Sequence, residues 1–245
     1  EAITTPGASA RTYVPAVIAS RALAFVRMLV IADLLGAAGK AQFGIYNQGL
    51  ELINWLVPLV MFGLADVTER YASHFEREGR LKNWVRGHYA RLLTVGIAAG
   101  ALLLAASPWV GRGIFNFSGA AGDGSGLVAR SISMAAACAG AILLLALYQH
   151  LAALLRGLRS YGANAGMEIL HAALLLLLSA IVAWRGGENA AIGLVYMYGL
   201  SVLVPLAFYG SLAQRHLRST VPAAPPAPPP ATTTGSIRLT SFAAW

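Results

Sequence analysis

The chain has 245 residues, of which 57% are hydrophobic and only 11% charged, with a mean hydropathy of +0.63. A soluble domain carries about 25% charged residues. This composition therefore excludes a soluble globular enzyme, and its apolar content excludes disorder for most of the chain. What remains is an all-α integral membrane protein, and the net charge of +8 is to be explained by where the cations lie.

Residues 1–13 form an N-terminal segment, expected on the cytoplasmic side. Residue 1 is Glu and no signal peptide precedes the apolar sequence, so the chain is expected to be a processed or truncated piece of something longer. A helix needs about 20 apolar residues to cross a bilayer. Six segments meet that length within residues 14–218: Val14–Leu35, Phe43–Ala65, Leu92–Val110, Ile132–Leu155, Met167–Trp184 and Ala190–Ala213. Their mostly short connections predict antiparallel hairpins between neighbours.

The first span carries Arg21 and Arg27 on either side of its midpoint near Phe25. At 1.5 Å per residue they lie about 6 Å and about 3 Å from that plane, too deep to snorkel. Each costs about 2.5–3.5 kcal/mol at a helix centre, which implies a water-filled cavity, a paired carboxylate or an anionic ligand. In the second span Asn47, Glu51, Asn54 and Pro58 follow one another at spacings of 4, 3 and 4 and share one helical face. That face suits cavity lining or hydrogen bonding between helices. Pro58 leaves the carbonyl of Asn54 without its partner and favours a kink there. By depth, Glu51 and Arg27 are expected to pair, leaving Arg21 as the free cavity charge.

The stretch Asp66–Arg91 reads as a helix leaving the membrane, a break near Gly79, and an interfacial helix with Trp84 and Tyr89 among six basic residues. Gly96 and Gly100 in the third span predict a helix-packing face. Gly122–Gly126 reads as a flexible turn. The lone cysteine, Cys138, is expected to be a small buried hydrophobe. Gln149 and His150 close the fourth span, and Asn164, Glu168 and His171 open the fifth, a set from which a proton relay can be built. Tyr198, Ser201 and Pro205 share a face of the sixth. Residues 219–245 hold a Pro-rich linker, with six of the 11 prolines between Pro222 and Pro230, and then a truncated apolar start of a following region.

Of the 18 Lys and Arg, twelve fall in the N-terminal segment, the second-to-third and fourth-to-fifth connections and the C-terminal segment; four fall on the opposite side. The positive-inside rule then puts both ends in the cytoplasm, with the spans in the inner membrane. The basic balance needs no nucleic acid. No Cys/His spacing suggests zinc, Gly36–Lys40 is too short for a phosphate-binding loop, and no cofactor or metal is expected.

The succession Leu34-Leu35-Gly36, Gln42-Phe43-Gly44-Ile45-Tyr46, Phe62-Gly63-Leu64-Ala65, Glu69-Arg70-Tyr71 and Glu76-Arg77-Glu78-Gly79 resembles the polysaccharide flippases of the multidrug/oligosaccharidyl-lipid/polysaccharide exporter superfamily. The resemblance is clearest over residues 14–110. Residues Ser20–Arg27 are also similar to the first helix of the lipid II flippases, in which two arginines at this spacing line a cationic cavity. Leu52–Gly63 lacks the further cavity arginine of that subfamily and Glu51 is present instead, so the resemblance points to another polyprenyl-diphosphate-linked glycan.

The resemblance implies one six-helix lobe of a two-lobed transporter, with the C-terminal lobe missing and the Pro-rich segment where the lobes would connect. It further implies translocation of a lipid-linked oligosaccharide across the cytoplasmic membrane, for polysaccharide or cell-envelope synthesis, with no covalent step. The expected substrate-binding residues are Arg21, Arg27, Asn47, Glu51 and Asn54, and the expected partners are membrane lipid and the lipid-linked glycan. Alternatives are a cation-coupled multidrug exporter of the same superfamily, a non-transporting scaffold, and a membrane-embedded transferase acting on lipid-linked sugars through His150, Glu168 or His171.

Overall fold

The structure, a computed structural model, describes residues 6–36, 39–115, 117 and 124–219. The Pro-rich linker and the region after it lie outside the described residues. Within them the chain is all helix: α1 Pro6–Leu35, α2 Lys40–Met61, α3 Leu64–Arg77, α4 Leu81–Ala105, α5 Ser107–Gly113, α6 Gly124–Gly157, α7 Tyr161–Arg185, α8 Ala190–Leu200 and α9 Leu203–Ser219. Helix is the form that satisfies every backbone polar group inside one apolar segment. Five stretches are long and apolar enough to cross a membrane, and α2 with α3 makes a sixth if that bent pair is one span. Ile18, Phe25, Trp55, Leu59, Phe62, Leu102, Trp109 and Trp184 are all more than half exposed. Such an apolar exterior is untenable in water and suits hydrocarbon. The chain is a multi-pass membrane bundle.

The helix boundaries correct several expectations. The chain stays helical through Pro58, and α2 runs on to Met61 and breaks after it. Phe62 and Gly63 take left-handed conformations (φ 40° and 74°), and α3 leaves at 45° to α2. Glycine at 63 accepts that conformation without steric cost. Gly79 (φ 67°) turns the chain from α3 into α4, with the Arg80 N–H donating to the Phe75 carbonyl at 2.9 Å. Phe75 and Trp84 stack across this turn, ring centroids 4.9 Å apart.

The third span then starts at Leu81 rather than Leu92. No proline interrupts Leu81–Ala105, so the expected interfacial helix and the span are one rod. It ends at Ala105 rather than Val110, because Pro108 is tolerated only in the first turn of a new helix, α5. The expected turn Gly122–Gly126 is in part the start of α6, from Gly124 on. The sixth span is broken into α8 and α9 at Ser201 and Val202. There Pro205 has no N–H to return to Ser201.

The packing is centred on α6, which touches every other helix except α1 to an appreciable extent. Of its apolar window 56% is buried, against 17% for that of α1. Its small residues permit this. A Cβ on Gly199 of α8 would come within 3.0 Å of the Ala141 Cα, an approach between backbones that only glycine allows. Gly96 and Gly100 of α4 lie against Leu143 and Ala139, and Cys138 is a fully buried free thiol. The expected hairpin of the first two spans is not formed in the simple sense: α1 packs chiefly along α7 and touches α2 little.

Candidate functional site: a cationic cavity between α1, α6 and α7

Tyr13, Val17, Ser20, Ala24 and Arg27 recur on α1 at spacings of 4, 3, 4 and 3, so they form one stripe. That stripe, with Arg21 on its flank, lines a cavity of about 550 Å³. Opposite it stand Glu168, His171 and Ala172 of α7 and Tyr148, Gln149, Ala152 and Arg156 of α6; Asn54 of α2 and Tyr198 of α8 complete the polar lining. Alanines at 24, 152 and 172 put no bulk on the three main walls, which leaves the space open.

The lining carries three arginines against one glutamate. Two of these four charges have partners. Arg156 Nε donates to Glu69 Oε2 at 2.9 Å, and this pair ties α6 to α3. Glu168 Oε1 accepts from the Tyr13 hydroxyl at 3.3 Å and from Asn164 Nδ2 at 3.1 Å. These bonds hold the carboxylate between α1 and α7.

Arg27 is different. It is only 8% exposed and, among the described residues, has no ion pair. Its Nη2 approaches the Met28 sulfur at 3.8 Å, its Cζ lies 5.9 Å from the centre of the Tyr198 ring, and its Nε has no hydrogen-bond partner. A tyrosine face offsets part of a cation's desolvation, about 2 kcal/mol for a buried contact. Tyr46 Oη, Tyr148 Oη and His171 Nε2 are also buried without a partner among the described residues. The His171 ring lies 4.9 Å from Tyr148 and 6.4 Å from Tyr198. Arg21 is exposed within the cavity wall and likewise has no ion pair among the described residues. The two guanidiniums are six residues apart on α1, a rise of about 9 Å.

Of the five expected site residues, Arg21, Arg27 and Asn54 come together here. Asn47 and Glu51 are not part of the lining. The buried face of α2 is Tyr46, Gly49, Ile53, Val57 and Val60, directed at the core, and Glu51 lies exposed off that face. The expected Arg27–Glu51 pair is therefore absent, because equal depth does not bring together helices that scarcely touch.

The relay candidates also divide. Glu168, His171 and Gln149 line the cavity and Asn164 holds Glu168. His150 lies away from the cavity, fully buried, with Nδ1 3.3 Å from Thr68 Oγ1 and its ring 4.8 Å from Tyr89. Of the sixth-span face only Tyr198 reaches the cavity; Ser201 Oγ donates to the Tyr198 carbonyl at 2.8 Å.

Sequence reasoning missed Tyr13, Tyr148 and Arg156. The heptad-like stripe leading to Arg27 carried the signal for Tyr13. In the sequence Arg156 reads only as a topology charge, and nothing in the pattern marks Tyr148. Among the described residues no cluster of three or more His, Cys, Asp or Glu could hold a metal ion. No protein-family model, curated protein or solved structure matches the chain. Chemically, the cavity offers two unpaired guanidiniums, each able to grip phosphate oxygens in bidentate fashion, beside aromatic and amide groups suited to a polar head.

Proposed function

We propose that the chain binds and translocates an anionic amphiphile, a polyprenyl-diphosphate-linked oligosaccharide, as one lobe of a flippase in the inner membrane with both chain ends cytoplasmic. The observation that carries this reading is Arg27: a buried cation without a counter-anion among the described residues, at the wall of a polar cavity inside a membrane bundle. An intramembrane charge without a partner marks a ligand path, and a diphosphate supplies the missing anion. Arg21, the more exposed, meets the headgroup first and Arg27 holds it deeper. The isoprenoid tail stays in lipid beside α1, whose outward face carries Ile18, Phe25 and Leu29. The resemblance to polysaccharide flippases adds a second lobe, against which this one rocks to expose the cavity alternately.

The net positive lining disfavours an exporter of organic cations. The transferase reading gains one specific support: Glu168 and His171 share a cavity wall. The readings separate in cells whose glycan export depends on the natural protein. Arg21→Ala and Arg27→Ala are expected to stop export while the lipid-linked glycan accumulates intact on the inner leaflet; Glu51→Gln is expected to export normally. Loss of the glycan product itself in Glu168→Gln or His171→Ala cells, with Arg21→Ala fully active, would replace the flippase reading with the transferase.

A further inference from the structure

Outside the cavity, α4 and α9 both pack on α6 but leave a groove between them of about 380 Å³. Its floor is apolar, with Leu151 and Leu154 from α6, and its far wall carries Gly210, Ala213 and Gln214 from α9. On the near wall stand Lys82 and Arg86, one helical turn apart on α4 and both exposed. Neither has an ion pair among the described residues. Among the described residues the groove lining contains no carboxylate. It lies beside the α3–α4 turn, where Trp84 stacks on Phe75.

We propose that this groove is a binding site for one anionic phospholipid, with an acyl chain along Leu151, Leu154 and Ala213 and the phosphate held between Lys82 and Arg86. An apolar trough with two cations at one wall, neither ion-paired among the described residues, on a helix that crosses the membrane, matches the two halves of such a lipid. A zwitterionic lipid fills the trough equally well but brings its own cation against Lys82 and Arg86. The site is independent of the α1–α6–α7 cavity and does not rest on the flippase reading.

The test is competition for the full chain, purified in detergent, between phosphatidylglycerol and phosphatidylcholine of identical acyl chains, with bound lipid counted by native mass spectrometry. One phosphatidylglycerol per protein is expected to be retained and phosphatidylcholine lost. Lys82→Gln with Arg86→Gln is expected to weaken phosphatidylglycerol about 25-fold, at about fivefold per cation near an anionic headgroup. Gly210→Phe fills the trough with both cations intact, and a Cβ at Gly210 meets open space, so the bundle tolerates it. It is expected to abolish retention. Equal retention of the two lipids, or retention unchanged in both variants, overturns the site. Retention that emerges only after removal of residues 220–245 also overturns it, by giving the groove to the chain's own C-terminal segment.

Discussion

Arg27 is 8% exposed, with the Met28 sulfur 3.8 Å from its Nη2 and the centre of the Tyr198 ring 5.9 Å from its Cζ. A buried charge without an anion destabilises the bundle that holds it. Replacement by an apolar side chain of similar length removes that cost. Arg27→Met is expected to raise stability by about 1 kcal/mol or more, read as a higher apparent Tm in detergent, while ligand binding is lost. A fall in Tm would make Arg27 a structural residue. Glu168 gives the opposite sign. Its carboxylate accepts from Tyr13 and Asn164, so Tyr13→Phe is expected to cost about 1 kcal/mol by loosening α1 from α7. Away from the cavity, Thr68→Val strips buried His150 of its hydrogen bond. It is expected to lower unfolding stability by about 1–3 kcal/mol, with Thr68→Ser close to the parent. Exchanging Arg27 with Glu51 is expected to restore nothing, because the two side chains do not meet.

At the scale of elements, close approach to α6 decides what can be changed. Gly199→Ala drives a Cβ to 3.0 Å from the Ala141 Cα, which is backbone and cannot swing aside. A loss of about 1–3 kcal/mol is expected, measurable by denaturation in mixed micelles. Apolar run length made the spans legible in the sequence. It did not show which spans are neighbours. Polar periodicity showed that Asn47, Glu51 and Asn54 share a face of α2 but not what that face meets, and only Asn54 reaches the cavity. The partner of α1 is α7, four spans of sequence away rather than one, and no local pattern encodes that choice. The charge of Leu81–Arg91 suggested a separate surface helix. Helix ends are set by breakers, and none lies between Leu81 and Ala105.

For the molecule as a whole, the two ends of the bundle are joined by different ion pairs. Arg130 with Glu188 ties the start of α6 to the α7–α8 turn, and Arg156 with Glu69 ties its far end to α3. The excess of Lys and Arg on the α3–α4 and α6–α7 turns puts that end in the cytoplasm under the proposed orientation. In a Cys138→Ala background, Arg77→Cys is expected to react with an impermeant thiol reagent only from the cytoplasmic side and Glu188→Cys only from the other. The membrane bundle was readable from composition, and Arg21 and Arg27 from their depth. Tyr13, Tyr148 and Arg156 were not, because they acquire their meaning only when three distant helices converge. The claim that unites these scales is that two arginines wait for a diphosphate. It is tested most directly by binding of undecaprenyl diphosphate and undecaprenol, equal in tail and different only in charge, to the purified chain in detergent. The diphosphate is expected to bind at least about tenfold tighter, a difference of ~1.4 kcal/mol, and Arg27→Met and Arg21→Ala are each expected to remove most of that preference. Equal affinity for the two lipids, or a diphosphate preference untouched by both substitutions, would contradict it.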